Sequence, residues 1–375
     1  MQQISIMHVV LEPRYSGAEM LVRNLAQHQM QSGHRVSITA FRPVQQSFAG
    51  EMQKLEQQGC RMLIPKAALD GLRRAAWLYR SVKAIEPDIV FAHSVLPSVY
   101  TRLALRFTRK PVVVTVLHSD DDFNEPRIRR MERLLRSRHE RVIGVNGKSV
   151  ENYRLRVTDR VSTQVIMNGV HADRFSQLAT GSREWRQKLY APEPGEVIAL
   201  QVGRISFQKQ QHVSVEALIR LKAQGISNLR LVLAGPIDEQ EYCNKLMTLI
   251  REGKVARQVQ VMGARGDIAE LLAGADMYLM PSDGEAHSIA ALEALASGAY
   301  CVFSGIPAFA GFRGLPGVSM IGDPPAAGDL ASCLEDALTN GQWRRRYERD
   351  LGDLTFERCA AEYNRLIQRL LCLPA

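Results

Sequence analysis

Short apolar runs recur along the chain and alternate with longer segments of helical pattern. Runs of this kind are typical of parallel strands that are buried on both faces. The runs occupy residues 4–11, 35–41, 88–92, 112–117 and 142–145, and then 197–203, 229–235, 259–263, 277–280 and 300–304. Their number and alternation predict an α/β protein with two doubly wound parallel sheets.

The length of the chain also favours two domains. A chain of 375 residues exceeds the size of one ordinary hydrophobic core. We place a first domain at 1–170 and a second at 171–355. Residues 179–191 are polar and without clear periodicity, so we expect them near the linker between the domains. In such sheets ligands bind at the carboxyl ends of strands, here the loops after Leu11, Leu117, Gly203, Gly235 and Pro281.

Composition narrows the class of protein. The residues are 46% hydrophobic and 23% charged, and no segment approaches the roughly 20 apolar residues of a membrane span. Residues 4–11 are followed at once by Glu12 and are interpreted as a first strand, not a signal peptide. The six cysteines show no metal-ligand spacing. We therefore expect a cytoplasmic protein with reduced thiols and no bound metal.

The net positive charge of the protein lies in the first half of the chain. Residues 1–170 carry 26 basic and 15 acidic side chains, whereas the remainder carries 22 and 24. Seven arginines surround apolar residues at helical spacing: Arg127, Arg129, Arg130, Arg133, Arg136, Arg138 and Arg141. Such a helix could rest on anionic lipid at the inner face of the cytoplasmic membrane, or it could be a solvated helix face. Nucleic acid is disfavoured because no aromatic stacking platform accompanies the charge.

Candidate chemistry is concentrated between Pro281 and Gly298. Glu285 and Glu293 are eight positions apart across a predicted loop-to-helix junction, with Ser288 as the N-cap and Gly298 as the stop. The first turn of such a helix attracts phosphate through its backbone N–H groups. The spacing alone is equally compatible with an amphipathic helix that carries two solvated acids.

Further motifs follow in a fixed order along the chain. They are Ser16-Gly17-Ala18-Glu19 after the first strand, His118 after a valine-rich strand, Asn168-Gly169-Val170 with Phe175, Val202-Gly203-Arg204 with Lys209, and Leu233-Ala234-Gly235. Together with the paired glutamates, this ordered set resembles the retaining glycosyltransferases of the GT-B fold, in particular glycosyltransferase family 4. The resemblance spans nearly the whole chain. It implies two Rossmann-like domains that face a central cleft, and a last helix at 356–375 that crosses back to the first domain.

The resemblance also implies roles for individual residues. Arg204 and Lys209 would contact the diphosphate of the donor, where charge grows as the glycosidic bond breaks. Glu285 would accept hydrogen bonds from the donor sugar, and Glu293 from the ribose. His118 would lie near the donor sugar and the acceptor.

Backbone groups complete the site that the resemblance implies. Gly17 would allow a phosphate to approach the chain closely. Ser288 and Ile289 would supply the first amides of the helix. No cofactor and no metal are implied, because the nucleotide-diphosphate sugar is itself a co-substrate.

Two segments depart from the family's pattern. Ser16 replaces the first glycine of the usual pair. At Ala286-His287-Ser288 the family more often has Gly-Phe-Pro. His287 could contact the sugar or simply occupy the place of the aromatic residue. The second departure bears on the path of the backbone around the donor sugar and therefore on which donor is used.

Two local patterns are set aside. Asp120-Asp121-Asp122 contains an Asp-x-Asp, but we interpret it as an exposed acidic loop. Gly147-Lys148-Ser149 resembles the end of a phosphate-binding loop, yet Val142 stands where the required glycine should be.

The sequence therefore predicts a retaining transferase that moves a sugar from a nucleotide-diphosphate donor, by default a UDP-sugar. The basic first domain favours an anionic acceptor, either a lipid-linked saccharide or a lipopolysaccharide or exopolysaccharide precursor. The alternatives are a nucleotide-sugar epimerase of the same fold and a degenerate scaffold that binds sugar nucleotides or lipid. The sequence does not specify the transferred sugar, the linkage or the oligomeric state.

Overall fold

The computed structural model describes residues 3–106, 108, 111–135 and 141–372. These residues form two compact units. One contains the chain up to Asn168 together with the residues from Glu357 onward, and the other is Gly169–Phe356. The domain boundary predicted from the sequence, after residue 170, differs from this division by two residues.

The first unit is a parallel sheet with helices on both faces. Its strands are β1 (Ser5–Val10), β2 (Arg35–Ala40), β3 (Arg61–Leu63), β4 (Ile89–His93), β5 (Val112–Leu117), β6 (Arg141–Gly144) and β7 (Ser162–Val165). Its helices are α1 (Gly17–Gln31), α2 (Ala49–Gln57), α3 (Gly71–Ile85), α4 (Val95–Leu105), α5 (Pro126–Leu135) and α6 (Gly147–Arg156). Among the described residues the sheet has seven strands, in the order β3-β2-β1-β4-β5-β6-β7.

The second unit repeats this architecture. Its strands are β8 (Val197–Val202), β9 (Leu229–Ala234), β10 (Val259–Gly263), β11 (Met277–Met280), β12 (Tyr300–Phe303) and β13 (Val318–Met320). Its helices are α7 (Ala172–Ala179), α8 (Ser182–Tyr190), α9 (Gln211–Ala223), α10 (Gln240–Glu252), α11 (Ile268–Gly274), α12 (Ile289–Ala296) and α13 (Ala327–Thr339). The strand order is β10-β9-β8-β11-β12-β13, and every pairing is parallel.

A last helix, α14 (Phe356–Leu371), ends the described chain. Its Tyr363 is fully buried and its ring lies 5.6 Å from that of Phe91 on β4. Farther along, the Arg369 guanidinium donates to Gln164 Oε1 at 2.7 Å. The helix therefore packs on the sheet of the first unit. None of the described helices has the length and apolar composition needed to cross a membrane.

The predicted α/β fold class is confirmed. Each of the ten predicted apolar runs is a strand, with ends that differ by one residue at most. The three strands that the pattern missed are β3, β7 and β13. All three lie at sheet edges and are exposed or half-buried, so they carry no continuous apolar run. Residues 179–191, which we expected near the linker between the domains, are mostly helix α8 of the second unit.

Helix α8 was not predicted from the sequence, because a glycine contact and a buried hydrogen bond hold it in place. A Cβ on Gly274 of α11 would lie 2.8 Å from the backbone nitrogen of Arg186, so the two helices approach closely only at glycine. The Tyr190 hydroxyl at the end of α8 donates to the Leu271 carbonyl at 2.7 Å. A pattern of apolar side chains could not indicate these contacts.

Both sheets have a point where the strand order reverses. In the first sheet it lies between β1 and β4, and in the second between β8 and β11. Loops that leave such neighbouring strands diverge to opposite faces and open a crevice at the carboxyl edge. The motifs at Gly17, Arg204 and Glu285 follow β1, β8 and β11, so they lie at these two crevices.

Helix α5 contains Arg127, Arg129, Arg130 and Arg133 of the predicted arginine-rich helix. The prediction was wrong for Arg141, which is the first residue of strand β6, and Arg136 and Arg138 lie outside the described residues. The burial of α5 departs from the usual amphipathic pattern at three positions, because Glu132 is fully buried while Met131 is 40% and Leu134 66% exposed. The Glu132 carboxylate contacts the buried guanidinium of Arg102 and accepts from the Tyr153 hydroxyl at 2.9 Å. A buried ion pair thus attaches α5 to the first unit.

Replacing Glu132 by Gln should destabilise the first unit, because it leaves the Arg102 charge buried without its carboxylate. We expect the free energy of unfolding to fall by about 3–5 kcal/mol. Trp77 is the tryptophan of the first unit, so urea unfolding followed by its fluorescence in a Trp185→Phe, Trp343→Phe background measures the change. The control is Glu125→Gln at an exposed position, with an effect below about 0.5 kcal/mol. Equal effects of the two variants would contradict the assignment.

Candidate active site

Two glycines hold the loop after β8 against the loop after β9. Gly235 has a φ of +157°, and a Cβ there would lie 2.0 Å from the carbonyl oxygen of Gly203. A Cβ on Gly203 would in turn lie 3.3 Å from the side chain of Lys209. The two backbones and the lysine stem are therefore packed together, and residue 235 must be glycine. This packing fixes the start of the Arg204–Lys209 segment at the carboxyl edge of the sheet.

Lys209 and Glu285 form an ion pair across the point where the strand order reverses. Their side chains are 13% and 9% exposed. The Lys209 carbonyl accepts from Gln201 Nε2 at 2.7 Å, and the Ser214 hydroxyl donates to Gln201 Oε1 at 2.7 Å. A buried polar network therefore orients the lysine before any ligand arrives. The structure brings these two predicted site residues into direct contact.

Neighbouring residues reinforce the contact between the loops after β8 and β11. The Asp283 amide donates to the Gln208 carbonyl at 3.1 Å, and Gln208 Nε2 donates to the Gly284 carbonyl at 2.7 Å. Gln210, with a left-handed φ of 53°, donates from Nε2 to Asp283 at 3.4 Å. None of these three side chains could be singled out from the sequence. Amide side chains give no periodic signal, so only the fold reveals them.

Arg204 is paired separately from Lys209. Its guanidinium contacts the carboxylate of Asp238 in the loop after β9, and its carbonyl accepts from Gln211 Nε2 at 2.8 Å. The Arg204 side chain is 29% exposed. A guanidinium has five N–H donors and an ammonium three, so both cations keep donors for a further anion. Asp238 is another residue that the sequence analysis missed.

Helix α12 begins as the sequence predicts. Ser288 is its N-cap, with the hydroxyl accepting from the Ala291 amide at 3.4 Å, and Gly298 follows its end with a φ of +76°. Ile289 is 8% exposed, so its side chain belongs to the core and its amide is the group available at the helix start. Burial lowers the pKa of His287 to about 4, so this imidazole is neutral at physiological pH.

The two predicted glutamates lie near one buried phenol. Burial first, and the carboxylates of Glu285 and Glu293 after it, raise the pKa of Tyr278 well above its ordinary value. Tyr278 lies on β11 and is fully buried. Glu285 precedes α12 and Glu293 lies one turn into it, half-exposed. Both carboxylates therefore belong to one electrostatic environment at the end of β11.

In the first unit, Gly17 is the first residue of α1. The Ser16 hydroxyl donates to the Glu19 carboxylate, so the loop is closed by a side-chain contact in place of the missing glycine. A Cβ on Gly17 would meet no described atom within 4 Å, and its φ is outside the left-handed region. The fold itself does not require glycine at this position. The open space lies at a helix N-terminus, where backbone N–H groups favour anions.

His118 follows β5 and ends a chain of hydrogen-bonded side chains. Its Nε2 lies 3.0 Å from His93 Nδ1, His93 Nε2 lies 3.0 Å from His8 Nδ1, and His8 Nε2 lies 2.9 Å from Gln29 Oε1. Burial lowers the pKa of His8 and of His118 to about 4, and burial followed by its two histidine neighbours lowers that of His93 well below its ordinary value. All three imidazoles are therefore neutral at physiological pH.

The acidic segment after His118 is only partly the exposed loop that we expected. Asp122 accepts from the amides of His118 and Ser119 at 3.0 and 3.2 Å, and burial raises its pKa to about 6. Asp120 is half-buried and forms an ion pair with Lys148 at 3.3 Å. Asp121 alone is exposed. Within the described residues, no group of His, Cys, Asp and Glu side chains is arranged to hold a metal ion.

Two family models together match most of the chain. The model for Glycosyltransferase Family 4 matches residues 15–174, and the model for Glycosyl transferases group 1 matches residues 182–350. The junction between the two matched regions lies close to the division of the structure after Asn168.

Two of the similar proteins are named for the synthesis of lipopolysaccharide or of a lipid-linked saccharide. The lipopolysaccharide glucosyltransferase WaaG of Escherichia coli K12 is 30% identical over 184 residues, 48% of each chain. The UDP-Gal:α-D-GlcNAc-diphosphoundecaprenol α-1,3-galactosyltransferase of Escherichia coli is 25% identical over 238 residues, 61% of this chain and 60% of that one. The chain thus aligns with about half of the length of these curated relatives.

A solved structure shares the fold over the whole chain. The Anabaena protein HepE, determined in complex with UDP and glucose, superposes with a TM-score of 0.77 at 19% identity and covers 99% of this chain and 100% of its own. The fold, the motifs and the two family models agree. The chain belongs to the glycosyltransferases of the GT-B fold, and it is related to enzymes of lipopolysaccharide and polysaccharide biosynthesis.

Proposed function

We propose that the protein is a retaining glycosyltransferase that uses a UDP-sugar and acts on an anionic, lipid-linked saccharide or lipopolysaccharide precursor at the inner face of the cytoplasmic membrane. The observation that carries the proposal is the contact of Lys209 with Glu285 beside Arg204. It places a cation and a carboxylate where the strand order of the second sheet reverses, and Arg204 lies on the same loop after β8. A nucleotide-diphosphate sugar presents the matching groups, a diphosphate next to sugar hydroxyls.

The cations in this site suit the charge that develops during transfer. When the bond between the anomeric carbon and the diphosphate breaks, negative charge grows on the leaving oxygen. Lys209 and Arg204 have N–H donors beyond those that their carboxylate partners occupy, and the first amides of α12 add backbone donors. Preorganised donors of this kind stabilise the transition state more than the bound substrate. They take the role that a metal ion has in other transferases.

The two glutamates suit the hydroxyl groups of the donor. Carboxylates accept hydrogen bonds from hydroxyls, and Glu285 and Glu293 lie in one electrostatic environment. We assign Glu285 to the sugar and Glu293 to the ribose. HepE, which has the same fold, was solved with UDP and glucose bound, and this supports UDP as the nucleotide. His287, neutral and largely buried, takes the place of an aromatic residue beside the sugar.

In the first unit, we assign Gly17 and His118 to substrate contact. Gly17 leaves open space at the start of α1, where a phosphate of the donor or the acceptor can approach the backbone. We assign His118 to contact with sugar hydroxyls. In a retaining reaction without a covalent intermediate, the acceptor oxygen bonds to the anomeric carbon on the face from which the diphosphate leaves. The leaving phosphate oxygen takes the proton of the acceptor.

The surface of α5 supports an acceptor at a membrane. Arg127 and Arg130 are exposed on the same short helix as Met131 and Leu134. On α6, Leu155 is 75% exposed. Cationic and apolar side chains together are the composition that binds an anionic lipid surface. One of the relatives is named for a diphosphoundecaprenol-linked acceptor, which fits such a surface.

Removing either cation of the site should impair transfer far more than it impairs folding. We expect Arg204→Ala and Lys209→Met to reduce turnover with a UDP-sugar by roughly 100-fold or more. Methionine retains the stem that packs on Gly203. UDP should raise the melting temperature of the wild type, and Glu293→Ala should weaken that shift. Turnover is measured by UDP release with a lipid-linked acceptor, and the anomeric configuration of the product is read by NMR.

The control is Lys245→Ala, which removes an exposed lysine paired with Glu241 in the same unit. Its turnover should equal that of the wild type, and activity should persist in EDTA. Unchanged turnover in both site variants would refute the assignment of Arg204 and Lys209. Conversion of the donor without acceptor would indicate an epimerase, and an inverted product would refute retention. Nucleotide binding without turnover on any acceptor would favour the scaffold.

Charge removal on α5 should weaken membrane binding. We expect the protein to bind phosphatidylglycerol vesicles at low salt, more weakly at high salt, and not phosphatidylcholine vesicles. Arg127, Arg129 and Arg130 replaced together by Ala should weaken binding by roughly 100-fold, since each charge near the surface contributes about 1 kcal/mol. Cosedimentation measures the affinity. The control replaces Arg220, Arg251 and Arg257 of the second unit, which are exposed as well. Equal losses in both triple variants would contradict a specific role for α5.

A further inference from the structure

A diagonal row of three histidines crosses the first sheet. His8 lies within β1, His93 is the last residue of β4, and His118 follows the last residue of β5. In the register of the sheet, His8 is opposite Phe91 and His93 is opposite Val116. Each step from one histidine to the next thus moves one strand across and two residues along. A shift of two residues keeps the side chains on the same face, so the imidazoles line up towards the carboxyl edge.

The other three side chains of this row, those of His93, His8 and Gln29, are buried. Gln29 and His8 are fully buried and His93 is 2% exposed. Only His118 is half-exposed. Buried polar groups are retained in sheets when they are hydrogen-bonded, and a row of three in otherwise apolar strands needs an explanation beyond packing.

The hydrogen bonds impose a direction on the row. A neutral imidazole has one N–H donor and one lone-pair acceptor. Gln29 presents its carbonyl oxygen to His8 Nε2, so His8 must be protonated at Nε2 and must accept at Nδ1. The same reasoning applies to the two ring-to-ring contacts of 3.0 Å. His8 Nδ1 accepts from the Nε2–H of His93, and His93 Nδ1 accepts from the Nε2–H of His118. His118 is therefore protonated at Nε2, and its Nδ1 carries the lone pair.

We propose that Gln29, His8 and His93 are positioning residues that hold His118 in the Nε2–H tautomer, so that His118 Nδ1 accepts a hydrogen bond from a substrate hydroxyl. Among the described residues, Nδ1 of His118 has no hydrogen-bond partner. If all the hydrogen bonds of the row ran in the opposite direction, His118 Nδ1 would carry the proton. It would then donate to the oxygen of a substrate hydroxyl instead of accepting from it. The role in substrate contact rests on the proposed transferase function, whereas the tautomer itself does not.

The tautomer can be read without substrate. Long-range proton–nitrogen NMR correlations of the full-length protein labelled with ¹⁵N-histidine distinguish protonated from unprotonated ring nitrogens. Substitutions of His8, His93 and His118 assign the signals. We expect all three rings to be Nε2–H at neutral pH. A wild-type His118 that carries its proton on Nδ1 overturns the inference.

Two variants test what holds the tautomer. Gln29→Met keeps all three rings but removes the oxygen that sets the direction, and His93→Phe keeps a planar ring but breaks the row. Both should convert His118 to a mixture of tautomers. The matched control is Val90→Ala, which, like His93→Phe, changes a buried residue of β4. The Val90 side chain packs in the apolar cluster with Met7 and Val9, away from the histidine row. Val90→Ala should leave the tautomer unchanged. If His118 stays purely Nε2–H in both variants, the row does not hold it.

Kinetics then separate positioning from structure. In Gln29→Met and His93→Phe we expect kcat to fall by about 10- to 100-fold, the usual effect of removing a partner that orients a functional imidazole. The KM for the donor should change by no more than about twofold, since the donor-binding groups of the second unit are intact. A mixed tautomer with unchanged kcat refutes the positioning role. If the tautomer is fixed as expected but no donor is turned over, the proposed function fails and the tautomer assignment stands.

Discussion

The candidate donor site depends on one contact, the ion pair of Lys209 with Glu285. The two residues belong to loops that leave neighbouring strands, β8 and β11, in opposite directions along the sheet. Two charges that are almost withdrawn from water attract each other strongly, but their desolvation costs a comparable free energy. Such a pair gives little net stability. Its main effect is on geometry, because it fixes the distance between the Lys209 ammonium and the Glu285 carboxylate before a ligand binds.

The surrounding structure makes this geometry possible. Gly235 and Gly203 let two backbones come closer than any side chain would allow, and the lysine stem covers the second glycine. Gln208 joins the loops after β8 and β11, because its carbonyl accepts from the Asp283 amide and its side chain donates to the Gly284 carbonyl. A diphosphate that enters such a site does not have to order it, so more of the binding free energy is available for the transition state. The carboxylates on both cations also keep the empty site from carrying a large net charge.

Most of the fold could be predicted from the sequence, because buried parallel strands produce continuous apolar runs and the linking helices have caps. The start of α12 at Ser288 and its end at Gly298 are examples in which local chemistry decides the boundary. Edge strands such as β7 were missed because half-exposed residues need not be apolar. Within the site, Glu285 and Lys209 were found through ordered motifs. Their contact was not, since it joins residues 76 positions apart.

The first unit contains buried polar residues whose burial could not be predicted from the sequence. His8 and Glu132 both lie where burial should exclude polar groups, and both are held by partners from distant elements. Pairing Glu132 with Arg102 buries one acidic side chain of α5 and leaves Met131 and Leu134 exposed beside its arginines, which no periodicity rule predicts. Each of these buried polar groups costs free energy of desolvation, and none is needed to close the sheet. Both connect the interior to a surface that the proposed reaction would use: His118 at one end, and the basic, apolar face of α5 at the other. Apolar side chains would fill these positions without a cost of desolvation, so the presence of His8 and Glu132 is itself an argument for function.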